Sequence, residues 1–169
     1  MGHGRAGLPD AGEGEEARGA GRQPARQRSR LRPPLIPLPE PSLEILGIGL
    51  DLVEIGRFQE LLARFGGRMK KRLFTGVEDD YCASHAIGHQ AQHYAARFAA
   101  KEAWIKASGI AIAWREIEVV NRAGTGVPDL ILHGQTAAAS RAAGIARALL
   151  TITHAGDLAV AQVTCLGRR

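Results

Sequence analysis

Ile45-Leu-Gly-Ile-Gly-Leu-Asp51 is the stretch on which the reading of this chain turns. It is a short apolar run of strand length, broken abruptly by an acid, and such a run marks a buried strand. A rigid strand holds the acid that follows it at a defined place, which suits a metal ligand. A second reading stays open on these residues alone: an ordinary strand-end acid that caps the next helix. Downstream, Ile55, Phe58, Leu61, Leu62 and Phe65 recur at helical spacing until Gly66-Gly67 stops the pattern. A second short helix is expected over Met69 to Phe74. Thr75 then caps a third that begins near Val77, with Glu78 placed for a capping box.

The longest helical signal runs from about His89 to Ser108, where Tyr94, Ala95, Phe98, Ala99 and Ile105 form a core face and Gly109 supplies the stop. Beyond it the period shifts towards strands: Ile117 to Val120, a turn through Gly124-Thr-Gly126, then Leu130 to Leu132. An alanine-rich helix is expected over Gln135 to Ala143. Ala148 to His154 and Leu158 to Thr164 read as the two strands of a hairpin turning at Ala155-Gly-Asp157. Strands and helices that do not alternate strictly predict an α+β fold, with a small antiparallel sheet packed against a long central helix and shorter helices.

Upstream of Ile45 the character is different. Residues 1–44 are rich in Gly, Pro, Arg and Glu and carry no apolar periodicity, so they bury too little surface to offset the entropy of ordering. They are expected to be a disordered extension or the product of a start codon assigned too early, with the working domain at 45–169. Glu13, Glu15, Glu16 and the run of prolines argue against an organelle-targeting segment. The net charge is +5 over 169 residues, and five arginines fall between Arg22 and Arg32 of this extension. Taking its seven arginines and six acids from the totals of 22 and 17 leaves 15 basic and 11 acidic side chains, a mildly basic domain. With 5% aromatic residues and no docking motif, a specific nucleic-acid partner is not expected. No apolar stretch has membrane-spanning length, and two cysteines, Cys82 and Cys165, without CxxC spacing fit a reduced, cytoplasmic setting.

The segment Arg97-Phe-Ala-Ala-Lys-Glu-Ala-Trp-Ile-Lys106 sets charge into the longest helical segment. Helical geometry puts Glu102 above Phe98 and beside Ile105 and Lys106. Either Lys106 pairs with it one turn on, or Glu102 joins Asp51 around a hard cation. Magnesium takes oxygen ligands, commonly one or two carboxylates with substrate phosphates and waters. On that second reading Arg97, Lys101 and Lys106 balance phosphates nearby. His85, His89 and His93 share helical spacing, but Gly88 interrupts them and no Cys or acid completes a zinc set, so packing is the favoured reading.

Taken together, these segments carry a resemblance. Gly47-Ile-Gly-Leu-Asp51 followed by Arg57, Phe74-Thr-Gly-Val-Glu78, Arg97 to Lys106, Gly126-Val-Pro128 and Thr151-Ile-Thr-His154 are similar to holo-acyl-carrier-protein synthase, the short phosphopantetheinyl transferase. The similarity covers essentially all of residues 45–169. It implies that family's fold and its reaction: transfer of 4′-phosphopantetheine from coenzyme A to a serine of apo-acyl carrier protein, releasing adenosine 3′,5′-bisphosphate, for fatty acid biosynthesis.

By the same resemblance Asp51 and Glu102 match the magnesium ligands, and with Lys106 they form the catalytic group. Arg97, Lys106, Pro128 and His154 match positions that line the coenzyme A site, although a hydrogen-bonded hairpin histidine is an alternative for His154. Arg57 and Arg64 fall on a helix expected to face the acidic carrier protein, with Arg68, Lys70, Lys71 and Arg72 extending the basic surface. The family also implies a homotrimer with coenzyme A held in clefts between subunits. One departure stands out: where the family commonly has Gly-Lys-Pro, this chain has Gly126-Val-Pro128, so any contact made by that lysine is missing.

Overall fold

Gly47 and Gly49 determine how closely the two central elements approach. In the computed structural model, which describes residues 43–111 and 113–168, the opening strand β1 (Glu44–Glu54) lies directly against the long helix α3 (Gln90–Ser108). A Cβ at Gly47 would sit 2.0 Å from the Ala107 carbonyl oxygen, and one at Gly49 would sit 2.0 Å from that of Ala103. Only glycine permits this approach. The facing side of the helix is correspondingly small, with Ala99, Ala100 and Ala103 fully buried. Larger side chains on either partner would force the elements apart, so the glycines and alanines act as one packing unit.

β1 is an edge strand of a three-stranded antiparallel sheet in the order β1-β5-β4, with β4 at Ile145–Ala155 and β5 at Leu158–Gly167. The register places Gly49 opposite Val163 and Asp51 opposite Ala161. The β4–β5 turn runs through Gly156 at φ 58°, a left-handed conformation that glycine adopts without strain. Beside it, Asp157 also anchors the chain that leaves β1. Its backbone carbonyl accepts from Ile55 N–H at 2.8 Å and its carboxylate from Gly56 N–H at 2.9 Å. These bonds satisfy two of the orphan donors at the start of α1 (Ile55–Leu73), whose own N-cap, Glu54, makes no side-chain bond.

α1 bends at Gly66, which has φ 43°, so the two helices expected on either side of Gly66-Gly67 are present as two arms of one kinked element. The capping box at the next helix, α2 (Gly76–Ala83), forms as expected between Thr75 and Glu78. β2 (Ile117–Asn121) and β3 (Pro128–Leu132) make a separate two-stranded sheet, and α4 (Gly134–Ala142) follows it. Two apolar clusters share α3. One contains Trp104, Ile117, Val119 and Val163, and the other Phe58, Phe74, Tyr94 and Ala159.

The α+β class and its small antiparallel sheets with a long central helix are therefore as expected. Two details differ. The first strand does not stop at Asp51: it continues through Leu52, Val53 and Glu54, so Asp51 sits inside an element and caps no helix. The strand also begins at Glu44, one residue inside the expected extension, of which residues 1–42 lie outside those described.

Candidate active site

Glu102 and Asp51 reach the same cleft because of the close strand-to-helix approach. Glu102 immediately precedes Ala103, whose carbonyl touches Gly49, and Asp51 is two residues along the strand from that glycine. Both carboxylates line a cleft of about 400 Å³. Its walls are apolar, from Phe58, Leu61, Met69 and Phe98, and Arg57 stands with them at the start of α1. Phe58 and Phe98 pack ring to ring at 5.4 Å, which ties α1 to α3 at the cleft.

Lys106 does not pair with Glu102 along the helix. Its ammonium donates to Asp51 Oδ1 at 2.7 Å and to the Leu50 carbonyl at 3.1 Å, crossing from α3 to β1. That bond holds the Lys106 ammonium above its ordinary pKa. Glu102 shows the complementary effect. Burial pushes its carboxyl up, the negative charge of Asp51 adds to the rise, and Lys106 opposes it. The cleft thus carries three acids, Asp51, Glu54 and Glu102, beside Arg57, with Lys106 bonded to Asp51, and a further positive charge between Asp51 and Glu102 would be favourable.

The donor set is all oxygen, with no histidine or cysteine in the cleft, which fits a hard cation. Among the described residues no group of three or more His, Cys, Asp or Glu is placed to hold a metal. A cation held by Asp51 and Glu102 would therefore take its other ligands from water and substrate, the usual pattern for magnesium.

Lys101 is a correction to the expected phosphate-facing group. It is fully buried, and its ammonium donates to Glu78 Oε2 at 2.7 Å, the Leu73 carbonyl at 2.8 Å and the Trp114 carbonyl at 2.9 Å. Glu78, also fully buried, accepts in addition from Thr75 N–H at 2.9 Å and Val119 N–H at 3.0 Å. All three ammonium protons of Lys101 are used, so none is left for a ligand. Removing either partner of such a pair leaves an uncompensated buried charge and costs about 3–5 kcal/mol.

Arg97, Pro128 and His154 are not in the Asp51 cleft. Arg97 is buried, with its guanidinium 3.9 Å from the centre of the Tyr81 ring and Nη2 donating to Asn121 Oδ1 at 2.8 Å. Asn121 lies opposite Pro128 in the β2–β3 pairing, so those two expected residues do come together. His154 is exposed on β4. His85 and His93 stack with ring centres 3.7 Å apart beside Tyr81, and His85 Nδ1 meets the Tyr81 carbonyl at 2.8 Å. Burial lowers His93 to about 4, helped by His85, Arg97, His154 and His89. Along α1, Arg57 and Arg64 are exposed, whereas Lys70 is engaged with Tyr94 at 2.7 Å and Asp79 at 3.4 Å. The apolar cleft walls and the Asn121 contact were missed in the sequence. Phe58 and Leu61 show only helical spacing there, and nothing local marks Asn121.

Known proteins share this arrangement of chain. The family described as the 4′-phosphopantetheinyl transferase superfamily matches residues 47–161. A holo-[acyl-carrier-protein] synthase of Geobacter metallireducens is 42% identical over 123 residues, covering 70% of this chain and 95% of that protein. One from Anaeromyxobacter dehalogenans is 46% identical over 126 residues, covering 73% and 97%. Among solved structures, the holo-[acyl-carrier-protein] synthase of Neisseria meningitidis superimposes with a TM-score of 0.66 at 30% identity, covering 72% of this chain and 98% of that one. A complex of the enzyme with CoA, attributed to Chronobacterium ammoniagenes, gives a TM-score of 0.65 at 31% identity and covers 75% and 100%. The chain belongs to the 4′-phosphopantetheinyl transferase superfamily, among the holo-acyl-carrier-protein synthases.

Proposed function

We propose that this chain transfers 4′-phosphopantetheine from coenzyme A to a serine of apo-acyl carrier protein, yielding holo-acyl carrier protein and adenosine 3′,5′-bisphosphate, in the service of fatty acid biosynthesis. The observation that carries the reading is the convergence of Asp51 and Glu102 at one cleft, with Lys106 bonded to Asp51, from a strand and a helix locked together by glycine.

The serine hydroxyl oxygen attacks the phosphorus that bears pantetheine. The bond from that phosphorus to the bridging oxygen breaks, and adenosine 3′,5′-bisphosphate leaves with the electron pair. Asp51 takes the serine proton, directly or through a water. Lys106, half exposed beside Asp51, supplies positive charge to the phosphates. Asp51 and Glu102 would hold magnesium, which would supply Lewis-acid stabilisation of the charge on the pyrophosphate. The apolar walls from Phe58, Leu61, Met69 and Phe98 restrict water near the transferring group.

Arg57, at the cleft, and Arg64 on the same helix steer the acidic carrier towards the site. Arg97, Pro128 and His154 form part of the coenzyme A site in a homotrimer, where one subunit brings the Asp51 cleft and its neighbour brings this second group. Two features support that assembly. The second group lies outside the cleft of its own chain. The sheet face turned away from α3 also presents Ile48, Leu50 and Leu52 at 59%, 55% and 51% exposure, more apolar edge than a solitary subunit normally leaves open. A cytoplasmic location is supported by the two free, buried thiols, Cys82 and Cys165. No helix of the described residues is long and apolar enough to cross a membrane.

The test is to mix the protein with apo-acyl carrier protein, coenzyme A and magnesium and to weigh the carrier by mass spectrometry. A phosphopantetheine-sized gain is expected, and it should be abolished by chelation and strongly reduced in Asp51→Ala and Glu102→Ala. No gain with any apo-carrier would sink the reading. Near-normal transfer in both variants would remove the metal pair alone.

A further inference from the structure

A second cavity, of about 340 Å³, opens between β3, α4 and β4. It shares no lining residue with the Asp51 cleft. Trp104 lines it from α3, two positions after Glu102, and two positions on a helix are about 200° apart, so the two sites lie on opposite sides of α3. The cavity also receives Arg122, Asp129, Ser140, Arg141 and Arg147.

Its polar groups are unevenly matched. Arg122 is satisfied, since Nε and Nη2 both donate to Asp129 Oδ2, at 2.9 and 2.8 Å. Among the described residues the guanidinium groups of Arg141 and Arg147 have no acidic partner. Trp104 is fully buried, yet its indole N–H has no hydrogen-bond acceptor among those residues. A buried indole N–H ordinarily finds one. Ser140, itself 4% exposed, adds a hydroxyl to the same lining.

The unmatched guanidinium and indole groups can only donate. The complement is an acceptor-rich anion. With Asp129 neutralised by Arg122, two positive charges remain, which matches a phosphate dianion better than a single carboxylate. We propose that this cavity is a second binding site, separate from the transfer site, for a small phosphate-bearing anion.

The Trp104 indole proton is the reporter. The full-length protein, labelled with nitrogen-15, is titrated with inorganic phosphate and with pyrophosphate, and with chloride at matched ionic strength. Trp114→Phe distinguishes the indole signals of Trp104 and Trp114. A saturable downfield shift of the Trp104 signal is expected with the phosphates and not with chloride. Affinity should fall about tenfold or more in Arg141→Gln/Arg147→Gln and stay unchanged in Lys106→Met. If the double variant fails to fold, Arg141→Gln alone is read, since Arg141 is exposed at the end of α4. Absence of a saturable shift, an equal shift with chloride, an undiminished shift in the arginine variants, or its loss in Lys106→Met would each overturn the proposal. None of these results depends on the transfer reaction, so the two proposals fail separately.

Discussion

Replacing Gly49 by alanine tests whether close strand-to-helix contact underlies both stability and catalysis. The added Cβ would lie 2.0 Å from the Ala103 carbonyl oxygen and 2.5 Å from the Ala107 nitrogen, whereas real Cβ contacts essentially never fall below 3.0 Å. Strand and helix must therefore part by about 1 Å, because both nearest obstacles are backbone and no rotamer relieves them. Overpacking costs about 1–3 kcal/mol, and a clash between two rigid elements belongs near the top, which corresponds to a fall of about 10 °C in Tm. The same displacement widens the gap between Asp51 and Glu102, and a misplacement of about 1 Å near reacting groups costs on the order of a hundredfold in rate. The assay pairs thermal unfolding by circular dichroism with carrier mass gain, measured well below the variant's Tm. Gly67→Ala is the control, since a Cβ there meets nothing within 4 Å. Wild-type melting and transfer in Gly49→Ala, or an equal loss in Gly67→Ala, would refute the reasoning.

Three other outcomes are expected. Lys106→Met should leave the melting temperature nearly unchanged, because the Lys106 side chain is half exposed, while transfer falls at least about tenfold; loss of both together would make Lys106 structural. Thr75→Val removes the cap of α2 and the 2.7 Å bond from the Thr75 hydroxyl to Glu118, for a combined cost of about 2–3 kcal/mol in urea unfolding. Burial pushes Glu118 upward, but the bonds from Thr75 and His133 overcome this and hold it below 4.5. A depressed carboxyl stabilises above its unfolded pKa and loses that contribution as pH falls through the folded value, so Thr75→Val should move acid unfolding to higher pH. His93 behaves in the same direction for a different reason: it is lowered from 6.5 to about 4, so the unfolded chain takes up its proton first as pH falls through that interval. Stability should decline across it, and His93→Gln should flatten the decline in a series of melts; an unchanged slope would show that the ring is not held neutral.

The local parts of the fold were legible because their signals are local. The Thr75–Glu78 capping box, the stop at Gly109 and the break at Gly66-Gly67 each depend on a few neighbouring residues, and each stands where expected. Asp51 reads as a strand end because the continuous apolar run stops there. The strand persists because β5 goes on pairing with it, Leu52 opposite Val160 and Glu54 opposite Leu158. Lys106 was one possible partner for Glu102, one turn away, but Lys106 bonds instead to Asp51, 55 residues off on another element. Spacing along one helix carries no information about that. Lys101 illustrates the same limit, since its three acceptors come from Leu73, Glu78 and Trp114. Asp51 and Glu102 were singled out through family resemblance, but the physical reason for the glycines beside Asp51 requires the α3 carbonyls to be seen.

The buried bond between Lys101 and Glu78 has a consequence for anyone who reads this domain through genetics. Lys101 and Glu102 are adjacent letters of one motif, and loss of either would register as loss of function. On the proposed role of Glu102, the causes would differ in kind: without Lys101 a cell would hold fewer intact molecules, whereas without Glu102 it would hold a normal number that turn over poorly. Raising expression, lowering growth temperature or supplying a chaperone should rescue the first defect and leave the second untouched.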